Sequence, residues 1–158
     1  MSAIAAEADV SKALLHYHFA DRARLLAEMV ATLGQRLVAR ERSALAHGEG
    51  TRAIDQLWDW LDAELHRGEL RALSELQMVP SPLVRVASEQ VATDRRVAAA
   101  GIVRGLFARL GLVPRIDVEL IGDTTIAFVD GLALDRMSGR DARVSFDVFW
   151  LAILSLAD

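Results

Sequence analysis

The stretch Ile4-Ala-Ala-Glu-Ala-Asp-Val-Ser-Lys-Ala-Leu-Leu-His-Tyr-His-Phe19, followed by Ala20-Asp-Arg-Ala-Arg-Leu-Leu26, decides the reading of this chain. Ile4, Ala5, Ala8 and Val10 supply small apolar groups for a short helix packed close to a neighbour. Asp9 falls where the chain must turn, at a position where a positive φ is needed and Asp is tolerated. Ser11 is placed to cap the next helix, its side-chain oxygen accepting from the free amides of the first turn. Between Lys12 and Phe19 the apolar side falls at Leu15 and Phe19, four residues apart and on one face. Lys12, Ala13, His16 and Tyr17 are left on other faces. Asp21 caps a third helix that opens at Arg22. Two short helices joined tightly, the second presenting cationic and hydrogen-bonding groups, form a layout suited to a DNA major groove.

Working outward, the rest reads as helices punctuated by capping and breaking residues. The third helix runs from Arg22 to about Ala46 with Leu25, Leu26, Met29, Leu33 and Leu37 as its inner stripe, and His47-Gly-Glu-Gly50 ends it. Thr51 caps a helix to about His66, with Leu57, Trp58, Leu61 and Leu65 apolar, and Gly68 breaks the run. A short helix, Glu69 to Met78, stops at Pro80-Ser-Pro82. A long one follows from about Leu83 to Leu110 through Val84, Val91, Ile102, Val103, Leu106 and Phe107. Gly111 and Pro114 separate it from a helix at about Ile116 to Met137. After Ser138-Gly139 the last helix covers about Ala142 to Ala157.

No strand-like alternation recurs and only 3 Pro and 10 Gly are present, so the class is all-α. Hydrophobic residues make up 53% of 158 residues, enough for a sizeable core. The absence of Cys excludes disulfides, thiolate metal sites and Cys nucleophiles, and suits a cytoplasmic protein. The start has no basic segment before its short apolar run, so no signal peptide is read. The net charge of −4 lies wholly in residues 27 to 158, because Lys12, Arg22 and Arg24 balance Glu7, Asp9 and Asp21. A DNA-binding surface usually shows a basic stripe, and this head is neutral.

Other chemistry does poorly. His16 and His18, two apart on a helix, point to different faces and do not pair on a metal. No phosphate loop, dinucleotide loop or HExxH pair occurs, and Gly48-Glu-Gly50 is too short to cradle phosphates. Asp59 with Asp62, and Asp117 with Glu119, read as solvated faces. The expectation is a protein that is not an enzyme and has no cofactor or metal.

The opening stretch resembles the TetR family of bacterial transcriptional repressors, whose signature runs close to Ile-Ala-x-x-Ala-Gly-Val-Ser-x-Gly-x-Leu-Tyr-x-Tyr/His-Phe-x-x-Lys-x-x-Leu-Leu. The chain keeps Ile4, Ala5, Ala8, Val10, Ser11, Leu15, Phe19, Leu25 and Leu26. It departs at Asp9 and Ala13, where the family usually has Gly, at His16 for Tyr, and at Arg22 for Lys. Arg still serves as a phosphate contact. The resemblance implies residues 1–26 as a helix-turn-helix DNA-binding domain and residues 27–158 as a helical ligand-binding and dimerisation bundle. It implies operator DNA, of palindromic sequence, as partner, with Ser11, Lys12, Ala13, Leu14, His16, Tyr17 and Arg22 nearest to it. In the family a further helix precedes this point. The expectation is therefore an incomplete head, with Met1 an internal position of a longer natural protein.

Two more expectations concern the bundle. Val148 to Ala157 is uncharged and apolar almost all round, too short to span a membrane, and so must be covered by protein. The preceding helix contains Phe128-Val-Asp-Gly-Leu-Ala-Leu134, where Gly131 costs helix stability but lets another helix approach closely. TetR-like proteins carry an Asp-Gly-Leu element here and pair their last two helices across a two-fold axis, which implies a homodimer through residues 116 to 157. The family also implies a pocket for a small-molecule effector. Trp58, Leu61, Leu65, Leu76, Met78, Val84, Phe107 and Phe128 are its candidate apolar walls, with Asp130 as the polar residue. Apolar walls suit a hydrophobic effector, although a Trp or Phe at helical spacing is more often plain core. The resulting reading is a repressor released from DNA by a ligand. The alternative is a dimeric helical ligand- or protein-binding module that no longer binds DNA because its first helix is missing.

Overall fold

A computed structural model describes residues 1–44, 52–135 and 141–158. Its helices are α1 (Ser2–Glu7), α2 (Lys12–His18), α3 (Arg22–Ser43), α4 (Ala53–Arg67), α5 (Glu69–Gln77), α6 (Pro82–Leu110), α7 (Val118–Asp135) and α8 (Ala142–Leu154). The described residues contain no strand, so the all-α reading holds. The His47–Gly50 stop, the Thr51 cap and the Ser138-Gly139 break fall outside the described residues.

Local chemistry sets most of the boundaries. Asp9 has φ 51°, the left-handed turn expected between α1 and α2. The Ser11 hydroxyl accepts from the Leu14 amide at 3.0 Å, and Asp21 Oδ1 accepts from the Arg24 amide at 2.8 Å, so both caps form. Gly68, at φ 74°, ends α4 and opens α5 in a single residue, and Gly111, at φ 67°, ends α6. Pro82 occupies the first turn of α6, where its missing N–H costs nothing.

The last helix is shorter than its composition suggests. It stops at Leu154, and the chain then runs antiparallel to the segment between α6 and α7. The Val113 amide donates to the Asp158 carbonyl and the Asp158 amide to Val113, both at 3.0 Å, while the Arg115 amide donates to Leu156 at 2.8 Å. This clasp satisfies backbone groups that the helix end would otherwise leave open. It ties α8 to the far end of α6.

α3 lies along α6, and α6 along α7, with α5 set between α3 and α7 and α8 resting on α4. Val30, Leu37, Leu61, Leu70, Leu73, Val84, Val103, Leu106 and Phe107 are fully enclosed. The stripe of α3 is turned slightly from the expected one. Leu25, Leu26 and Leu37 are buried, but Val30 takes the inner place and Met29 is exposed. The reason is Gly34. An added Cβ there would lie 2.3 Å from Val91 Cγ2 and 2.7 Å from Cγ1, so α6 seats its Val91 directly on the α3 backbone. Gly122 does the same between α7 and α6, where a Cβ would meet the Ala100 amide nitrogen at 2.9 Å. Among the described residues, no atom lies within 4 Å of the Gly131 Cβ position, and the close approaches are made by Gly34 and Gly122.

Gly34→Ala is expected to destabilise the fold by about 1–2 kcal/mol. Overpacking costs about 1–3 kcal/mol, and removing a helical Gly returns up to about 1 kcal/mol. Urea unfolding reads the loss, and Val91→Ala introduced into the Gly34→Ala variant should recover part of it. A Gly34→Ala variant as stable as the parent would show that Val91 steps aside freely.

Candidate DNA-reading head and effector cavity

The head is built by α1, α2 and the opening of α3. α1 and α2 pack on each other, and Ala5 is the buried residue of the pair. Ile4, Val10, Leu15 and Phe19 are half-buried on its apolar side, as the spacing requires, while Ala8 is exposed. Ser11, Lys12, Ala13, Leu14, His16, Tyr17 and Arg22 are all exposed. Tyr17 stands 84% exposed, its ring edge-on to His18 at 5.1 Å. α2 thus exposes an ammonium, two imidazoles and a phenol, with His16 and His18 on different faces. Asp21 is engaged as a cap, and Arg24 pairs with Glu28 at 3.1 Å on the outer side of α3.

A second site lies where α3, α4, α6, α7 and α8 converge. A cavity of about 40 Å³ is lined by Glu41, Leu57, Trp60, Leu61, Arg95, Ala99, Ile102, Thr125, Ile126, Phe128, Val129, Phe146 and Trp150. That volume exceeds the roughly 10–15 Å³ that one water needs, so it has room for a few waters. An organic ligand would have to widen it. Trp60, Ile102, Thr125, Ile126 and Phe128 are only half-buried and form its more open side. Phe128 stacks flat on Phe149 of α8 at 4.2 Å, and Phe146 meets Trp150 edge-on at 6.2 Å.

The floor is charged. Arg95 Nε donates to Glu41 Oε1 at 3.2 Å, and Arg95 Nη1 donates to both carboxylate oxygens of Asp130, at 2.8 and 3.0 Å. Arg95 and Glu41 are 5% and 4% exposed. One guanidinium therefore joins α3, α6 and α7 inside the bundle. Among the described residues, three buried polar atoms on residues lining this cavity have no hydrogen-bond partner: Glu41 Oε2, Arg95 Nη2 and Trp60 Nε1. Each such orphan costs about 1–3 kcal/mol, so their gathering at one small cavity is informative.

Burial pushes the Glu41 carboxyl above the ordinary carboxylate range. Arg95 pulls it back down, and Asp130 and Glu64 add to the rise. A carboxyl held higher in the folded than in the unfolded chain gives stability that is present in full below the unfolded pKa. That stability is lost as pH rises through the folded pKa. Glu41→Gln, which removes the titrating group, should therefore gain in stability relative to the parent as pH rises from about 4.3 upward. Urea unfolding of both chains between acidic and mildly alkaline pH measures the difference. Parallel pH curves would rule the effect out.

Of the residues expected to line an effector pocket, Leu61 and Phe128 meet at this cavity, and Asp130 sits behind it on Arg95. The others lie elsewhere. Trp58 is half-buried between the Phe146 ring and the Arg143 guanidinium, each 5.3 Å away. Leu65 borders a separate depression with Asp62, His66, Leu132 and Ser145. Val84 and Phe107 are fully enclosed core, because helix packing surrounds them on all sides, and Leu76 packs at the core's edge. Met78, at the end of α5, points out of the bundle and is 84% exposed beside Val79 and Pro80. Glu41, Trp60, Arg95 and Trp150 were not anticipated. One signal was available: Arg95 falls on the same helical face as Val91, Ala98, Ala99 and Ile102, a charge inside an apolar stripe.

No helix among the described residues is long and apolar enough to cross a membrane. The acidic pair at the start of α7 is partly engaged. Asp117 Oδ1 accepts from the Glu119 amide at 3.0 Å, and that hydrogen-bonding with Glu119 holds the Asp117 carboxyl below its ordinary range. Glu119 meets Arg104 at 2.9 Å.

A capped helix, turned outward on a helix-turn-helix and continued by a helical bundle with its own cavity, is a layout that suits a DNA-binding regulator. Residues 1–29 match the family model of bacterial regulatory proteins of the tetR family. The head is thus similar to that of tetR-family regulators, and the residues beyond 29 lie outside that match. No curated protein and no solved structure matches it.

Proposed function

We propose that the protein is a ligand-responsive repressor that binds palindromic operator DNA as a two-fold dimer in the cytoplasm and releases it when a small hydrophobic molecule enters the bundle. Residues 1–26 serve as the DNA-binding domain and residues 27–158 as the ligand-binding and dimerisation domain. The observation that carries this reading is the continuity of α3. It starts at Arg22, among the groups proposed to touch DNA, and its last turns place Glu41 in the cavity wall. A helix of 22 residues spans about 33 Å, so one rigid rod joins the two sites. A ligand that shifts the far end of α3 moves the reading head, and a few kcal/mol of differential affinity suffices to empty the operator.

Lys12 to His18 would enter the major groove, with Arg22 on phosphate at the helix N-terminus. Dimerisation through α7 and α8 is supported by the apolar residues those helices leave outside. Val144, Val148 and Leu151 share one face of α8 and are 59%, 62% and 70% exposed. On α7, Leu120 and Leu134 are 60% and 57% exposed, with exposed Ala127 and Gly131 between them on the same face.

The test is fluorescence-anisotropy binding to DNA upstream of the protein's own gene at two salt concentrations. Binding should weaken steeply with salt, and Lys12→Ala and Arg22→Ala should each lower the salt slope by about one unit. Absence of binding at low salt overturns the reading. It would favour a helical dimer that takes a small molecule without DNA, a reading supported by the balanced charge of the head.

A further inference from the structure

The cavity floor specifies the chemistry of its occupant. Glu41 Oε2 is an acceptor without a donor, and Arg95 Nη2 and Trp60 Nε1 are donors without an acceptor. Glu41 and Arg95 are more than nine-tenths buried, so bulk water does not serve these atoms. A hydroxyl group has one donor and two acceptor lone pairs. One hydroxyl therefore matches the three orphans in number and in kind.

Other head groups match less well. A carboxylate only accepts, and would set a second negative charge against Glu41 Oε2. An ammonium only donates, and would leave Arg95 Nη2 and Trp60 Nε1 unmet beside another cation. A wholly apolar molecule leaves all three orphans in place, each at its full desolvation cost. Around this floor the walls are Leu61, Val129 and the rings of Phe128, Phe146 and Trp150, a lining that suits a flat apolar body.

We infer that the cavity between α3, α4, α6, α7 and α8 binds a small aromatic molecule bearing one neutral hydroxyl, a phenol, with that hydroxyl seated on Glu41 Oε2, Arg95 Nη2 and Trp60 Nε1. The inference rests on the reading of the bundle as the ligand-binding part. Its consequence for regulation is direct. The hydroxyl would bond Glu41 on α3 and Arg95 on α6, so the ligand acts on one of the contacts between the head-bearing helix and the rest.

The experiment is isothermal titration calorimetry of the full chain with four probes sharing one body: 4-methylphenol, toluene, 4-methylbenzoate and 4-methylbenzylammonium. 4-Methylphenol should bind at least about tenfold more tightly than any of the other three. Trp60→Phe, which removes the indole donor and shrinks one wall of the cavity, should weaken 4-methylphenol about fivefold more than it weakens toluene. Toluene binding within threefold of 4-methylphenol overturns the inference, as does preference for either charged probe. Binding of none of the four assigns the floor to water alone and overturns it too. Calorimetry needs no DNA, so the two readings fail separately. A chain that prefers 4-methylphenol but ignores DNA ends the repressor reading alone. A chain that binds DNA but none of the probes ends this inference alone.

Discussion

Replacing Arg40 by Met is expected to destabilise the protein by about 3 kcal/mol. Arg40 Nε and Nη2 donate to the two carboxylate oxygens of Glu64 at 2.5 and 2.8 Å, and Nη2 also donates to Glu69 at 2.6 Å. Glu64 is 1% exposed, a carboxylate inside the joint between α3 and α4. Its hydrogen bonds, opposed by partial burial and aided by Glu69, hold the Arg40 guanidinium above its ordinary value. Breaking a buried pair by removing one partner costs about 3–5 kcal/mol, because the other charge is left uncompensated. The low end applies, since Arg67 Nε stays 3.5 Å from Glu64. At about 2–4 °C per kcal/mol for a chain of this size, Tm should fall by roughly 6–12 °C. Adding Glu64→Leu to Arg40→Met should recover most of the loss, because a pair replaced whole by apolar groups leaves no orphan. A loss below about 1 kcal/mol in the single variant would mean that Arg67 and solvent take over the carboxylate.

The second large effect concerns the proposed dimer. Val148→Glu with Leu151→Glu should raise the dimer dissociation constant at least about 100-fold, roughly 3 kcal/mol. Each subunit would carry two carboxylates into a two-fold seam, where they face the partner's copies and must be desolvated. Both side chains are mostly exposed in the single chain, so the fold itself should survive with an unchanged helical circular-dichroism signal. Sedimentation velocity over a concentration series reads the outcome, and operator affinity should drop with it, since a dimer engages two half-sites at once. A parent chain that sediments as a monomer at micromolar concentration would remove the dimer from the proposal. So would a double variant that stays dimeric.

The two effects differ in kind. Arg40 acts within the chain, where Glu64 is enclosed and, once Arg40 is gone, only Arg67 remains beside it. In the proposed dimer the outer faces of α7 and α8 would act between chains, where apolar groups are exposed and no described atom lies within 4 Å of the Gly131 Cβ position. That contrast is why the first variant is read by unfolding and the second by association.

The sequence by itself determined the elements and the head. Ser11 and Asp21 cap helices through groups three residues away, Asp9 turns the chain with its own φ, and Gly68, Pro82 and Gly111 punctuate it within a residue. Such signals are legible because the interacting groups are neighbours along the chain. The tertiary structure decided the rest. Glu41 and Arg95 are 54 residues apart, and Arg95 and Asp130 are 35 apart. Nothing local pairs them. Gly34 meets Val91 only because α3 crosses α6 at that level, and this crossing turns Val30 inward and Met29 outward. Asp130 could be singled out as a charge in an apolar helix, but its partner, and with it the polar floor of the cavity, exists only where three packed helices bring distant charges within hydrogen-bonding reach.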